Sequence, residues 1–189
     1  MEIRALMLEE LSEVQRLAGI IWRRCYPGMI SDGQIEYMLG WMYDLALMQR
    51  EIKEQGIVYE GLFLEGKMIG FCSHGKQPGG CDYKLHKLYL LPEHHGKGWG
   101  RAALRHVAEQ ARLAGCRFLV LNVNKRNERA IRCYRANGFA VRSEIVADIG
   151  HGYVMDDYVM EKRLTHDLSS NVAVADEYQQ RRIHIRGQR

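Results

Sequence analysis

The sequence predicts a mixed α/β fold, a single sheet of about seven strands flanked by about four helices. Three observations carry this reading. Apolar residues recur at helical spacing in the stretches 8–24 and 99–114. Short apolar or alternating runs, 57–63, 67–74, 84–91 and 118–123, have the length of strands. Glycine and proline punctuate the intervals, giving the order β-α-α-β-β-β-α-β-α-β-β.

Taken in order, Glu2–Ala5 is a short first strand. The helix of 8–24 carries Leu8, Leu11, Val14, Leu17, Ala18, Ile21 and Trp22 on one face, with Glu9 and Glu10 near its start, where the helix dipole favours negative charge. Pro27-Gly28 ends it. Ser31-Asp32 caps a second helical region over 33–54, with Gly40 as its expected interruption. Strands 57–63 and 67–74 are joined by a tight turn at Glu65-Gly66. Gln77-Pro78-Gly79-Gly80 is a loop, and 84–91 is a strand closed by Pro92. The helix of 99–114 stops at Gly115. The run 118–123 is nearly all apolar, as expected of a strand covered on both faces. A short helix over 127–137 stops at Gly138, and strands 139–149 and 153–164 flank Gly150-His151-Gly152.

Composition narrows the function classes. The chain has 189 residues, 47% of them hydrophobic and 26% charged, with a net charge of +4. That is globular composition without the charge excess of a nucleic-acid or polybasic membrane binder. Arg117, Lys125, Arg126, Arg129 and Arg132 surround one helix, but no nucleic-acid recognition motif accompanies them, so no nucleic-acid partner is expected. No apolar run reaches the length of a membrane span, and the N-terminus lacks a leader pattern, so a cytoplasmic protein is expected. Five cysteines (Cys25, Cys72, Cys81, Cys116 and Cys133) contain no C-x-x-C pair. Reduced thiols and no metal are expected, with Cys116 and Cys133 as core fillers.

The densest chemical feature is His95-Gly96-Lys97-Gly98-Trp99-Gly100-Arg101, between a strand and a helix. Glycines at alternate positions let the main chain approach a ligand and turn successive N–H groups towards it. The following helix N-terminus adds partial positive charge, which suits a pyrophosphate. A Walker loop is disfavoured because Lys97 is followed by glycine. A dinucleotide fingerprint is disfavoured because the third glycine comes one residue early.

The segment from Leu88 to Gly100 resembles the acetyl-CoA motif of the GNAT superfamily of N-acetyltransferases. Gly98 and Gly100 match the pattern, and His95 stands where glutamine or arginine is usual. Asn127-Glu128-Arg129-Ala130, then Tyr134, then Asn137-Gly138-Phe139, is similar to the family's second element, Asn-x-x-Ala-x-x-x-Tyr followed by Gly-Phe. The resemblance covers residues 1–164 and is specific over 84–164. It implies an acyl-CoA N-acyltransferase fold with a mostly antiparallel, twisted sheet, and acetyl-CoA as co-substrate. The implied cofactor-binding residues are Leu88, Tyr89 and Leu90 through their backbone, on a strand splayed by a bulge. Gly96, Lys97, Gly98, Trp99, Gly100 and Arg101 would hold the pyrophosphate, and Asn127 would contact the cofactor nearby. Arg105 is an additional charge on the same helix.

The implied reaction is attack of a primary amine on the thioester. Tyr134 is the expected general acid, since a phenol arrives protonated. His86 stands where relatives carry a glutamate base and is the expected base; Asp156 and Asp157 are alternatives, of which strand alternation turns at most one to the site. The helical region 8–54 would shape the acceptor pocket. Its Trp22, Tyr26, Tyr37, Trp41 and Tyr43, with Glu36 and Asp44, suit a cationic amine, although core contacts are the first reading for Tyr37, Trp41 and Tyr43. A small amine or polyamine is the first expectation for the acceptor, and a peptide or protein N-terminus the second. A non-catalytic acyl-CoA-binding module is the rival from another class. The polar segment 165–189, with Arg181, Arg182, Arg186 and Arg189, reads as a tail that is mobile or packs on a partner subunit, and a homodimer is one reading of the assembly.

Overall fold

A computed structural model describes residues 1–165. The expected tail lies outside the described residues beyond Thr165. Strands β1 (Glu2–Ala5), β2 (Val58–Leu64), β3 (Lys67–Lys76), β4 (Asp82–Leu90), β5 (Phe118–Asn124), β6 (Ala140–Gly150) and β7 (Tyr153–Arg163) form one sheet in the order β1-β2-β3-β4-β5-β7-β6. Every neighbouring pair is antiparallel except β4 and β5. A parallel pair needs a crossover, and helix α4 (Trp99–Leu113) supplies it.

Helices α1 (Leu11–Cys25), α2 (Asp32–Met42) and α3 (Leu45–Gln55) cover one face of the sheet, and α4 packs on the other with α5 (Glu128–Ala136). Each face has its own apolar core. One is built on Leu11, Leu17, Trp22, Tyr43, Met48 and Phe71. The other is built on Leu62, Leu85, Leu104, Val107, Leu119, Leu121 and Met160. The helix count is therefore five among the described residues, one more than the sequence suggests. The expected single helical region over 33–54 breaks at Tyr43-Asp44, not at Gly40. The Asp44 carboxylate caps α3 by accepting from Leu47 N–H at 2.8 Å, a new start that a helix interior would not provide. Gly40 stays helical in α2, whose own cap is the expected Ser31, accepting from Gln34 N–H.

The hairpin turns follow their residues. Glu65 and Gly66 both adopt positive φ, 52° and 76°, as a two-residue turn that matches strand twist requires. Of the two cysteines expected in the core, Cys116 is buried. Cys133 is exposed on α5, because the helix turns only Ile131 fully inward.

One buried ion pair ties α3 to the middle strand. Lys87 on β4 is 5% exposed, and its ammonium donates to the Tyr59 hydroxyl at 2.7 Å and to Glu51 at 3.3 Å. Burial pulls this lysine below the usual ammonium range, against the opposing pull of Glu51. Removing the acid leaves an uncompensated buried cation. Glu51→Ala should lose about 3 kcal/mol of stability in urea unfolding, and Lys87→Met with Glu51→Leu should recover most of it.

Candidate active site

The cleft follows from how β4 leaves β5. The two strands pair only from Asp82–Leu85 against Phe118–Leu121. Beyond Leu85 they diverge, while β4 continues along β3 to Leu90. The register between β3 and β4 jumps at the same place: Ser73 opposes Lys87 and His74 opposes Leu85, so His86 is the extra residue of a β-bulge. The β5-facing edge of residues 86–90 thus has no strand partner, and its main-chain groups face a cleft of about 730 Å³.

The glycine loop closes one end. Gly96 and Gly98 adopt φ of 74° and 82°, a backbone that side chains resist, whereas Gly100 lies within α4. No side chain caps α4, so the amides of its first turn remain available to an anion. His95 holds the loop's first turn: its Nε2 donates to the Leu90 carbonyl at 2.7 Å. Burial keeps this imidazole below its ordinary pKa. Gly96, Gly98, Gly100 and Arg101 line the cleft. The Lys97 side chain is exposed outside the lining, and the Trp99 indole packs on the α4 core, so these two face the cleft, if at all, with backbone alone.

Helix α5 forms the facing wall. Asn127 lines the cleft and caps the helix, its Oδ1 accepting from Ala130 N–H at 3.1 Å. Tyr134, two turns on, also lines the cleft. Its ring lies 5.7 Å from Phe139, and burial raises its phenol well above the usual range. Leu88, Tyr89, Leu90 and His86 line the same space, so the cleft gathers both expected catalytic residues with most of the expected cofactor contacts.

Two groups there titrate away from their ordinary values. His86 is exposed on the open edge of β4; desolvation by the neighbouring protein first, then the charges of Lys84 and Lys87, lower it to about 4. Asp157 is 4% exposed and raised to about 6, by burial and then by Asp156, against Lys84 and Lys125. Of the two neighbouring aspartates, Asp157 turns into the cleft and Asp156 pairs with Lys125 outside it, as strand alternation requires. The sequence reading gave Tyr89 only a backbone role. Its hydroxyl also lies 3.3 Å from that of Tyr26, in an aromatic wall with Trp22.

The acceptor side differs from expectation. Of the aromatic residues expected to shape it, Trp22 and Tyr26 line the cleft. Tyr43 is fully buried in the core, its hydroxyl accepting from Trp22 Nε1. Tyr37 donates to the Ile149 carbonyl and braces α2 on the β6–β7 hairpin, and Trp41 is exposed beside it. Glu36 pairs with Arg23 at the surface, and Asp44 is spent on the α3 cap. The lining instead includes Met29, Met38, Met42 and Met155, with Gln34, which ties α2 to the Val154 carbonyl. Among the described residues, Asp157 is the one carboxylate in the lining, against Arg24, Lys87, Arg101 and Arg129.

Comparison with known proteins agrees with this geometry. The sequence profile of the Acetyltransferase (GNAT) family matches residues 20–139, more than half of the chain. An uncharacterized N-acetyltransferase of Mycobacterium bovis is 37% identical over 83 residues, which cover 44% of this chain and 53% of that protein. The chain thus spans about half the length of that relative. A spermidine N(1)-acetyltransferase of Thermoplasma acidophilum is 26% identical over 166 residues, 86% of this chain and 96% of its own. The solved structure of the PaiA N-acetyltransferase from Thermoplasma acidophilum, in complex with coenzyme A, superposes with a TM-score of 0.72 at 27% identity, over 86% of this chain and 98% of that one. By sequence profile and by fold, the chain belongs to the GNAT acetyltransferase family.

Proposed function

We propose that this protein transfers the acetyl group of acetyl-CoA to a primary amine. The observation that carries the reading is the unpaired edge of β4 running into the uncapped N-terminus of α4. An extended pantetheine arm can pair with the first as an added strand, and its pyrophosphate can accept from the second. The related Thermoplasma protein solved with coenzyme A supports the same cofactor.

In the proposed mechanism the amine nitrogen attacks the thioester carbonyl. A backbone N–H on the open edge of β4 donates to the oxyanion. The carbon–sulfur bond breaks, and Tyr134 delivers its proton to the departing thiolate. The ammonium's proton goes to a base in the cleft. Asp157, raised to about 6, is the stronger acceptor; His86, lowered to about 4, stays neutral at pH 7 but holds a proton weakly. We therefore assign Asp157 as base and His86 as a neutral hydrogen-bonding neighbour.

For the acceptor, a methionine-rich wall with a single carboxylate fits one ammonium on an apolar stem. A second reading, a polyamine, is favoured by the name of the Thermoplasma spermidine relative. A panel of alkylamines, arylalkylamines, spermidine and N-terminal peptides, followed by free-thiol release, separates the two. Thiol release with none of them, despite coenzyme A binding, would instead indicate a binding module.

Three outcomes are expected. Tyr134→Phe should lower kcat by about 10²-fold or more and leave the KM for acetyl-CoA nearly unchanged. An unchanged kcat would remove Tyr134 from the mechanism. Since Asp157 is protonated below about pH 6 and ionised above it, kcat/KM should rise through pH 6 and show no loss from Tyr134 up to about pH 10. Asp157→Asn should abolish that rise, while His86→Ala should preserve it. Gly98→Ala forces a side chain into left-handed backbone at a strain of about 1–2 kcal/mol, so calorimetry should show about tenfold weaker coenzyme A binding.

A further inference from the structure

On the face of the sheet away from the acceptor side, four metal-ligating side chains converge beneath α4. Glu60 on β2 and Cys72 on β3 are directly paired across the ladder, and His74 follows Cys72 by two residues, on the same face. All three are buried, at 8%, 0% and 1% exposure. One ligand atom from each lies within 4.8 Å of the others. His106 reaches down from α4, its Nε2 2.9 Å from Glu60 Oε2, the same oxygen that His74 Nε2 approaches to 2.8 Å. Cys72 Sγ lies 3.7 Å from that oxygen.

We propose that Glu60, Cys72, His74 and His106 form a structural zinc site that staples α4 to β2 and β3. One thiolate, two imidazoles and one carboxylate make the nitrogen, sulfur and oxygen donor set that zinc takes in four-coordinate sites. A tetrahedron with ligand lengths of about 2.0–2.3 Å places donors about 3.3–3.8 Å apart. The Cys72–Glu60 contact already has that spacing, while the two imidazoles must draw back from the shared Glu60 oxygen and His106 must turn towards Cys72 and His74 to complete the set. Charge also balances. Cys72 gives up one proton on binding, and the resulting thiolate with the Glu60 carboxylate neutralises a divalent cation in a buried place. The second shell is present: Tyr83 Oη lies 2.9 Å from His74 Nδ1 and can accept its N–H, the tautomer that leaves Nε2 free for a metal. His106, with 28% of its side chain exposed, gives the site an edge through which an ion can enter. Four protein donors leave no open position, which marks the site as structural and separates it from the acetyl-transfer cleft. None of the four residues lines that cleft. The sequence reading expects no metal because the donors come from three elements and share no zinc-motif spacing.

The test is metal analysis of the untagged full chain, purified without chelator and dialysed against metal-free buffer. The expected result is about one zinc per chain, with thermal stability lost on stripping and regained on adding zinc alone. Cobalt substitution should give a thiolate-to-cobalt charge-transfer band together with tetrahedral visible absorption. Cys72→Ser should abolish that band. His106→Ala, at a partly exposed helix position, should lose the zinc while the chain stays folded. Zinc content in the wild type no higher than in the His106→Ala variant, or a cobalt spectrum without the thiolate band, would overturn the proposal. The cluster would then be a hydrogen-bonded network in which the Glu60 carboxylate accepts from two imidazoles.

Discussion

The site depends on one parting of strands: β4 leaves β5 after Leu85 while it stays paired with β3 as far as Leu90. The bulge at His86 falls where they part. An extra residue in one strand turns the alternation of side chains by one step. Before the bulge, Tyr83 and Leu85 face α4. After it, Leu88 and Leu90 face α4, while Lys87 and Tyr89 face α1–α3. Without the extra residue Lys87 would point at α4, away from Glu51 and Tyr59. The buried ion pair therefore favours the bulged register, and the bulge opens the edge on which a thioester-bearing arm can lie.

Polar groups pin this arrangement from both sides of the sheet. On one face, Lys87 is held by Glu51 and Tyr59. On the other, Glu60, His74 and His106 meet within about one residue's breadth of the bulge, since His74 opposes Leu85. Buried charges add little net stability when paired, but each is costly when its partner is misplaced. Their effect is thus to penalise slippage of β3 against β4, where a one-residue error would turn the side chains of β4 to the opposite face.

Much of this was legible in the sequence, and the losses have physical reasons. The strand count, the helix of 99–114, the glycine loop and the short helix over 127–137 follow from periodicity and punctuation; that the first of these helices crosses over between parallel strands does not. The bulge also left a trace: the apolar positions Tyr83 and Leu85 resume at Leu88 and Leu90, one step out of phase. The break between α2 and α3 was misplaced because Gly40 is a louder signal than Asp44, although only Asp44 offers a cap. The helical aromatics could not be sorted from sequence, because a ring at helical spacing looks alike whether it faces a core, as Tyr43 does, or a cleft, as Tyr26 does. Clusters such as Glu60 with His106 join residues 46 apart in sequence, and no local pattern announces them.

The chemistry proposed for the cleft makes its apolar wall a participant. An alkyl ammonium with an unperturbed pKa of about 10 yields its proton to a carboxylate of pKa about 6 only at a cost of about 5 kcal/mol. Two effects lessen that cost in the same place. Burial raises the acceptor, as Asp157 shows, and desolvation lowers the donor, as the cleft-side neighbour Lys84 shows by falling below its ordinary value. Met29, Met38, Met42 and Met155 line the cleft and would extend that desolvation over an amine bound there. A wall rich in carboxylates would bind a cation more tightly and hold its proton more firmly, which slows the attack. On this account the scarcity of acids in the lining is a condition for turnover, because binding strength and nucleophilicity make opposite demands on the same charge.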